Sequence, residues 1–233
     1  TKYKGIPVGN ISDMTTFSFH PVKTITCGEG GAILTNNEAY YNKMKLFRTH
    51  SITHEPNYMS KNPYNGYNEQ IDLGYNYRMT DIQAALGISQ LAKIDRFISR
   101  RREIVRQYNE AFINMPGLAI QKEISESDTA RHLYIIRIKP DTLTVSRNEI
   151  FNALMAENIG VQVHYMPVYY HPYYQSLGYK KGLCPKAEKL YEEIITIPLY
   201  YSLTDEDVKS VINGIEKVLN HYSLDSNGDL YVC

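Results

Sequence analysis

Toward the C-terminus the hydrophobic pattern is at its clearest: Val208, Val211, Ile212, Ile215, Val218 and Leu219 recur at the spacing of one helical face. Thr204 stands before them as an N-cap, and Asp205, Glu206 and Asp207 suit the positive end of the helix dipole. The same reasoning predicts a capped amphipathic helix from Ser146 and Glu149, carrying Ile150, Phe151, Leu154 and Met155, with Gly160 closing it. Thr80 and Gln83 form another capping pair, ahead of Ile82, Ala85, Leu86, Leu91, Ile94 and Ile98. A helix therefore starts near Asp81, and its pattern runs on, kinked, to about Phe112. A further helix is expected from about Glu38 to Arg48.

Strand signals are shorter. Residues 14–19 and 31–35 read as buried strands on either side of a turn, because β-branched and aromatic residues cluster there between Gly and Pro. His132 to Ile138 reads as a strand, and Val161-Gln162-Val163-His164 alternates as another. The change from helical to strand-like patterning at Pro116-Gly117 marks a domain boundary, giving domains at 1–115 and 116–222 and a frayed tail at 223–233. Residues 51–74 show no usable period. A loop of that length is usually functional or disordered, and Tyr58, Tyr64 and Tyr67 favour function. There is no internal repeat and no low-complexity tract.

With 233 residues and 43% hydrophobic content, the chain can bury a substantial core. Twenty-five basic side chains balance twenty-five acidic ones, so no net field favours nucleic acid or anionic lipid. A small polar ligand or another protein is the expected partner. No apolar run approaches the roughly twenty residues of a membrane helix, and no signal peptide opens the sequence. Cys27, Cys184 and Cys233 are widely spaced without CxxC or HxH companions, which argues against a disulfide framework or a metal site. A soluble, cytoplasmic protein is expected. The chain starts at Thr1, in a segment like the middle of a domain, and an N-terminal truncation is expected.

The chemistry concentrates in Ser18-Phe19-His20-Pro21-Val22-Lys23, followed by Gly28-Glu29-Gly30-Gly31-Ala32-Ile33-Leu34-Thr35-Asn36. A lysine on a turn between apolar strands is expected to be desolvated, which lowers its ammonium pKa and frees the amine for Schiff-base chemistry with an aldehyde cofactor. Ser18 offers a hydroxyl to a phosphate oxygen. Pyridoxal phosphate is the cofactor this pairing suits. Each residue also has a plainer reading: Lys23 as a solvated charge, and Ser18 as a strand-end hydroxyl. Asn76 and Arg78 read either as ligand contacts or as helix-entry polarity, and His20, His164 and Tyr165 as binding or packing residues. Gly28, Gly30 and Gly31 serve tight turning rather than a phosphate cradle, since no helix follows within a turn.

The lysine block resembles that of the DegT/DnrJ/EryC1/StrS family of sugar aminotransferases. Lys45 to His50, Gly74 to Ala85 and Val161 to Pro167 also resemble family blocks, in the family's order. The resemblance implies an α/β, fold-type I PLP-dependent transferase: the C-terminal part of the large domain, then a small C-terminal α/β domain. It further implies that Lys23 is the catalytic lysine that binds pyridoxal 5'-phosphate and that Ser18 holds the cofactor phosphate. Asn76 and Arg78 would reach the cofactor or substrate in the neighbouring subunit of a homodimer with shared active sites. His164, Tyr165 and His20 would meet a nucleotide-sugar substrate, with an amino acid, glutamate, as donor and no metal. The family's phosphate loop, ring-stacking aromatic and pyridine-pairing Asp lie upstream of the lysine block, outside this sequence. Two alternatives remain: a sugar dehydratase, in which histidine replaces the lysine, and a non-catalytic module that dimerises or binds a nucleotide sugar. Lys23 disfavours the first.

Overall fold

The computed structural model describes residues 1–60, 64 and 66–224. Most of the expected tail, including Cys233, lies outside the described residues. The elements run β1 (Lys2–Tyr3), β2 (Ile6–Pro7), β3 (Thr15–Ser18), β4 (Gly31–Leu34), α1 (Glu38–Phe47), β5 (Ile52–Thr53), β6 (Glu69–Gln70) and α2 (Asp81–Leu91). They continue with α3 (Ile94–Phe112), β7 (Leu118–Ile120), β8 (Ser127–Asp128), β9 (Tyr134–Ile138), α4 (Arg147–Ala156), α5 (Pro172–Ser176), α6 (Pro185–Glu193), β10 (Ile194–Ile197) and α7 (Asp205–Tyr222). Two compact units result, Thr1–Asp95 with Glu126–Thr129, and Arg96–Ser125 with Ala130–Cys233. The division falls ahead of the Pro116-Gly117 turn because α3 packs Ile104, Val105, Tyr108 and Phe112 into the second unit's core.

In the first unit, β3 and β4 pair antiparallel with Thr15 opposite Leu34 and Ser18 opposite Gly31. The burial expected of them is not found: Phe17, Ile33 and Leu34 are exposed. Among the described residues the pair forms a two-stranded sheet with no second layer against it. Asn37 caps α1 by accepting the Tyr40 N–H at 3.1 Å. Past the helix, His50 and Ser51 both take positive φ, 60° and 54°, and turn the chain back. Gly74 lies against that reversal: a Cβ there would sit 2.1 Å from Ser51 N and 2.2 Å from His50 C, so only glycine fits. The aperiodic 51–74 stretch contains structure the sequence does not announce. β5 and β6 pair antiparallel, and the Ser60 and Tyr67 hydroxyls both donate to Glu69. Both arms of the Thr80–Gln83 capping box are present, and the expected kink is a break between α2 and α3 at Ala92-Lys93.

The second unit is built on an antiparallel sheet of order β10-β9-β7. Ile136, Ile138 and Ile195 are fully buried with Tyr108, Ile150 and Ile215 from the helices, each aliphatic side chain contributing about 1.5–3 kcal/mol of burial. Ser146 with Glu149 and Thr204 with Asp207 close complete capping boxes on α4 and α7. The expected closure of α4 by Gly160 is not found. Asn158 takes the left-handed position instead, at φ 61°, which Asn tolerates, and its N–H donates to Met155 O. Nor do residues 161–164 form a strand: Gln162 makes an isolated bridge with Thr196. Period-two alternation reports which face is buried, not whether a neighbour is in register. None of the helices among the described residues is long and apolar enough to cross a membrane.

Candidate active site

Lys23 lies on the loop joining β3 to β4. The loop is closed at its base by Phe19, whose N–H donates to Gly30 O at 2.9 Å and whose carbonyl accepts from Cys27 N at 3.1 Å and Thr26 Oγ1 at 2.9 Å. Within it the Lys23 N–H donates to His20 O at 3.0 Å, and the His20 N–H to Ser18 Oγ at 3.4 Å. Ser18 thus ends β3, and His20 and Lys23 follow it on the loop. Lys23 is half-buried, between strands whose Phe17, Ile33 and Leu34 are exposed among the described residues. Its amine makes no hydrogen bond or ion pair among the described residues. The glycines do serve turning: Gly28 and Gly30 have φ of 84° and 154°. Gly31 allows close strand approach, since a Cβ there would lie 2.6 Å from Phe17 O.

Asn76 and Arg78 project from an extended segment in the same unit. Tyr75 and Tyr77 donate their N–H groups to Phe47 O and Arg48 O, the last carbonyls of α1, at 2.7 and 3.0 Å. The Tyr75 and Tyr77 rings stack with centroids 4.9 Å apart, which sets Asn76 and Arg78 on the opposite side of the segment. Both are exposed, and Arg78 has no ion pair among the described residues. The lysine loop meets this region at its base. A Cβ on Gly30 would lie 2.6 Å from Cys27 Sγ and 2.8 Å from Met79 Cε, and one on Gly87 of α2 would lie 3.6 Å from Cys27 Cβ. Cys27, the one buried apolar residue among the described residues of this unit, is thus the packing point between the lysine loop and the entry of α2.

His164 and Tyr165 belong to the second unit. His164 Nδ1 lies 2.8 Å from Thr196 Oγ1, and its ring meets Tyr165 edge-on at 4.4 Å. Tyr165 is exposed. Thr196, buried on β10, is a residue sequence reading did not single out; no local pattern marks it. Glu188 is a second residue that the sequence does not mark, since an acid in the first turn of α6 reads as ordinary helix-dipole polarity. It is buried, accepting from Tyr169 Oη at 2.8 Å and Gly182 N at 2.7 Å. Burial pushes this carboxyl up, but its hydrogen bonds outweigh that and hold it below the usual value. Two clefts of about 550 and 400 Å³ open on the second unit. Neither contains a residue predicted from the sequence, and the Arg100 lining the larger is already neutralised by Glu103 and Asp205.

The profile of the DegT/DnrJ/EryC1/StrS aminotransferase family matches residues 1–216. The chain is 36% identical over 219 residues to the UDP-4-amino-4,6-dideoxy-N-acetyl-β-L-altrosamine transaminase of Campylobacter jejuni, covering 94% of this chain and 56% of that protein. Among solved structures, it matches Helicobacter pylori PseC, an aminotransferase involved in pseudoaminic acid biosynthesis, with TM-score 0.84 and 32% identity over 93% of this chain and 56% of that one. Spr1654 of Streptococcus pneumoniae, assigned as a sugar aminotransferase and solved in its PLP form, matches with TM-score 0.83 and 32% identity over 93% of this chain and 54% of that one. The chain spans about half the length of the curated relatives it matches. The fold is that of the fold-type I PLP-dependent transferases, as the lysine block implied. A lysine loop closed by glycines, a capped helix behind it and agreement along almost the whole sequence lead to one family: this chain belongs to the DegT/DnrJ/EryC1/StrS aminotransferases.

Proposed function

We propose that the full-length protein moves an amino group from glutamate to the keto group of a nucleotide-linked sugar, with pyridoxal phosphate as cofactor and Lys23 as the catalytic lysine. The observation that carries this is Lys23, half-buried on a loop closed at its base and paired with no acid among the described residues. Such a group fits the cofactor's carbonyl, as the neighbouring Ser18 hydroxyl fits a phosphate oxygen. When bound, the cofactor supplies the electron sink. Lys23 Nζ would hold it and, once released by the incoming amine, would carry a proton to and from the reacting substrate carbon. Ser18 Oγ would hold the phosphate, and His20, whose N–H donates to that oxygen, would contact the substrate. Asn76 and Arg78, presented together from one side of their segment, contact phosphate or substrate in the neighbouring subunit of a homodimer. His164, its ring fixed by Thr196, and Tyr165 meet the nucleotide sugar.

The relatives named for UDP-4-amino-4,6-dideoxy-N-acetyl-β-L-altrosamine support a UDP-4-keto-6-deoxy sugar as substrate, on the route to pseudaminic acid. The balanced charge fits an enzyme without nucleic-acid or membrane partners, and the three widely spaced cysteines fit a cytoplasmic setting. The test is to incubate the full-length protein with glutamate and a panel of 4-keto UDP-sugars, following amino-sugar and 2-oxoglutarate. Turnover is expected on at least one of them, lowered about a thousandfold or more by Lys23→Ala. No turnover by the wild type on any member refutes this function.

A further inference from the structure

The polypeptide after Tyr165 forms a surface excursion rich in tyrosine. Residues 168–183 pass through a 3-10 turn and the short helix α5 and return to α6. The rings of Tyr173 and Tyr179 and the side chain of Leu177 are exposed. Exposed apolar groups do not hold a segment in place, so its pose depends on its base. There Glu188, 6% exposed, points its carboxylate at both ends of the excursion. Oε1 accepts from Tyr169 Oη at the start, at 2.8 Å, and from the Gly182 N–H at the end, at 2.7 Å. Tyr170 packs edge-on against Tyr191, three residues further along α6, with centroids 6.1 Å apart. Lys181 is engaged elsewhere, 3.2 Å from Glu192.

A carboxylate removed from water is costly unless hydrogen bonds replace its hydration. Here both donors come from the segment it holds. Losing the carboxylate would orphan a phenol and an amide at once, and the segment would open to rehydrate them.

We propose that Glu188 is a positioning residue that clasps residues 168–183 and thereby sets the pose of the exposed Tyr173 and Tyr179 rings, on the segment that follows Tyr165, for the nucleotide-sugar substrate. This rests on the substrate reading above. The excursion's exposed aromatic rings suit a nucleoside base and sugar, which bind by stacking and hydroxyl hydrogen bonds.

The experiment compares wild-type full-length protein with Glu188→Ala, Glu188→Gln and Tyr169→Phe. In Glu188→Ala, exchange of the Gly182 amide is expected to rise about tenfold or more, the scale of one charge-assisted hydrogen bond. KM for the nucleotide sugar should rise about tenfold, with kcat changed less than about threefold. Covalent cofactor capture at Lys23 should be unchanged. Glu188→Gln keeps an acceptor oxygen and should restore both exchange and KM to within about threefold of wild type. Tyr169→Phe, which removes one donor and leaves the core intact, should show an intermediate KM and decides the matter if Glu188→Ala does not fold. Unchanged Gly182 exchange in Glu188→Ala, or unchanged KM despite faster exchange, overturns the clasp. Failure of the aminotransferase reading would show separately, as absent cofactor capture in the wild type.

Discussion

The two units hold themselves together differently. The second buries a continuous set of aliphatic and aromatic side chains between a three-stranded sheet and helices α3, α4 and α7. In the first, Cys27, Ser51 and Thr53 are the buried residues among those described, and its shape is written in backbone hydrogen bonds, caps and glycines. The proposed chemistry follows the same division. The lysine loop and the Asn76–Arg78 segment need backbone placed where a cofactor can reach it, which turns provide and a closed core does not. His164 and Glu188, by contrast, lean on a packed frame.

The comparison can be broken most directly by mutation of large side chains. Ile195→Ala in the second unit should cost about 2–5 kcal/mol in denaturant unfolding, while Ile33→Ala in the first should fall within about 0.5 kcal/mol. Equal costs would remove the distinction. Backbone fit governs the first unit, so Gly74→Ala should cost about 1–3 kcal/mol, with faster amide exchange at Tyr75 and Tyr77, where the added methyl meets the His50-Ser51 reversal. A smaller effect is expected at a cap. Thr204→Ala should cost about 1 kcal/mol by thermal unfolding, and Thr204→Asp should retain most of the stability.

The last effect is one of pH. Hydrogen bonds from the Ser146 backbone and hydroxyl hold the Glu149 carboxyl below its usual range, and the Thr204 hydroxyl and backbone do the same for Asp207. A carboxyl whose pKa is lowered by folding stabilises fully above its unfolded value, about 4, and less as pH falls through the folded one. Acid titration of helicity should therefore show α4 and α7 weakening below about pH 4, with the change blunted in Glu149→Gln.

Features that are local in sequence were legible there. Thr80 with Gln83, and Ser146 with Glu149, announce their helices because each cap is complete within four residues. The lysine loop was legible for the same reason. Features that depend on distant partners were not. The alternation at 161–164 suggests a strand, yet Gln162 alone meets Thr196. The apolar strands around Lys23 suggest burial, yet no further layer covers them among the described residues. Glu188 resembles any helix-surface glutamate until Tyr169 and Gly182 are brought to it from residues upstream.

The central claim is that the amine of Lys23 captures the carbonyl of pyridoxal phosphate. Borohydride reduction of the full-length protein in the presence of the cofactor, followed by peptide mapping, tests it most directly. The account predicts a single labelled peptide carrying the modification on Lys23; a label on another lysine, or none, would contradict it.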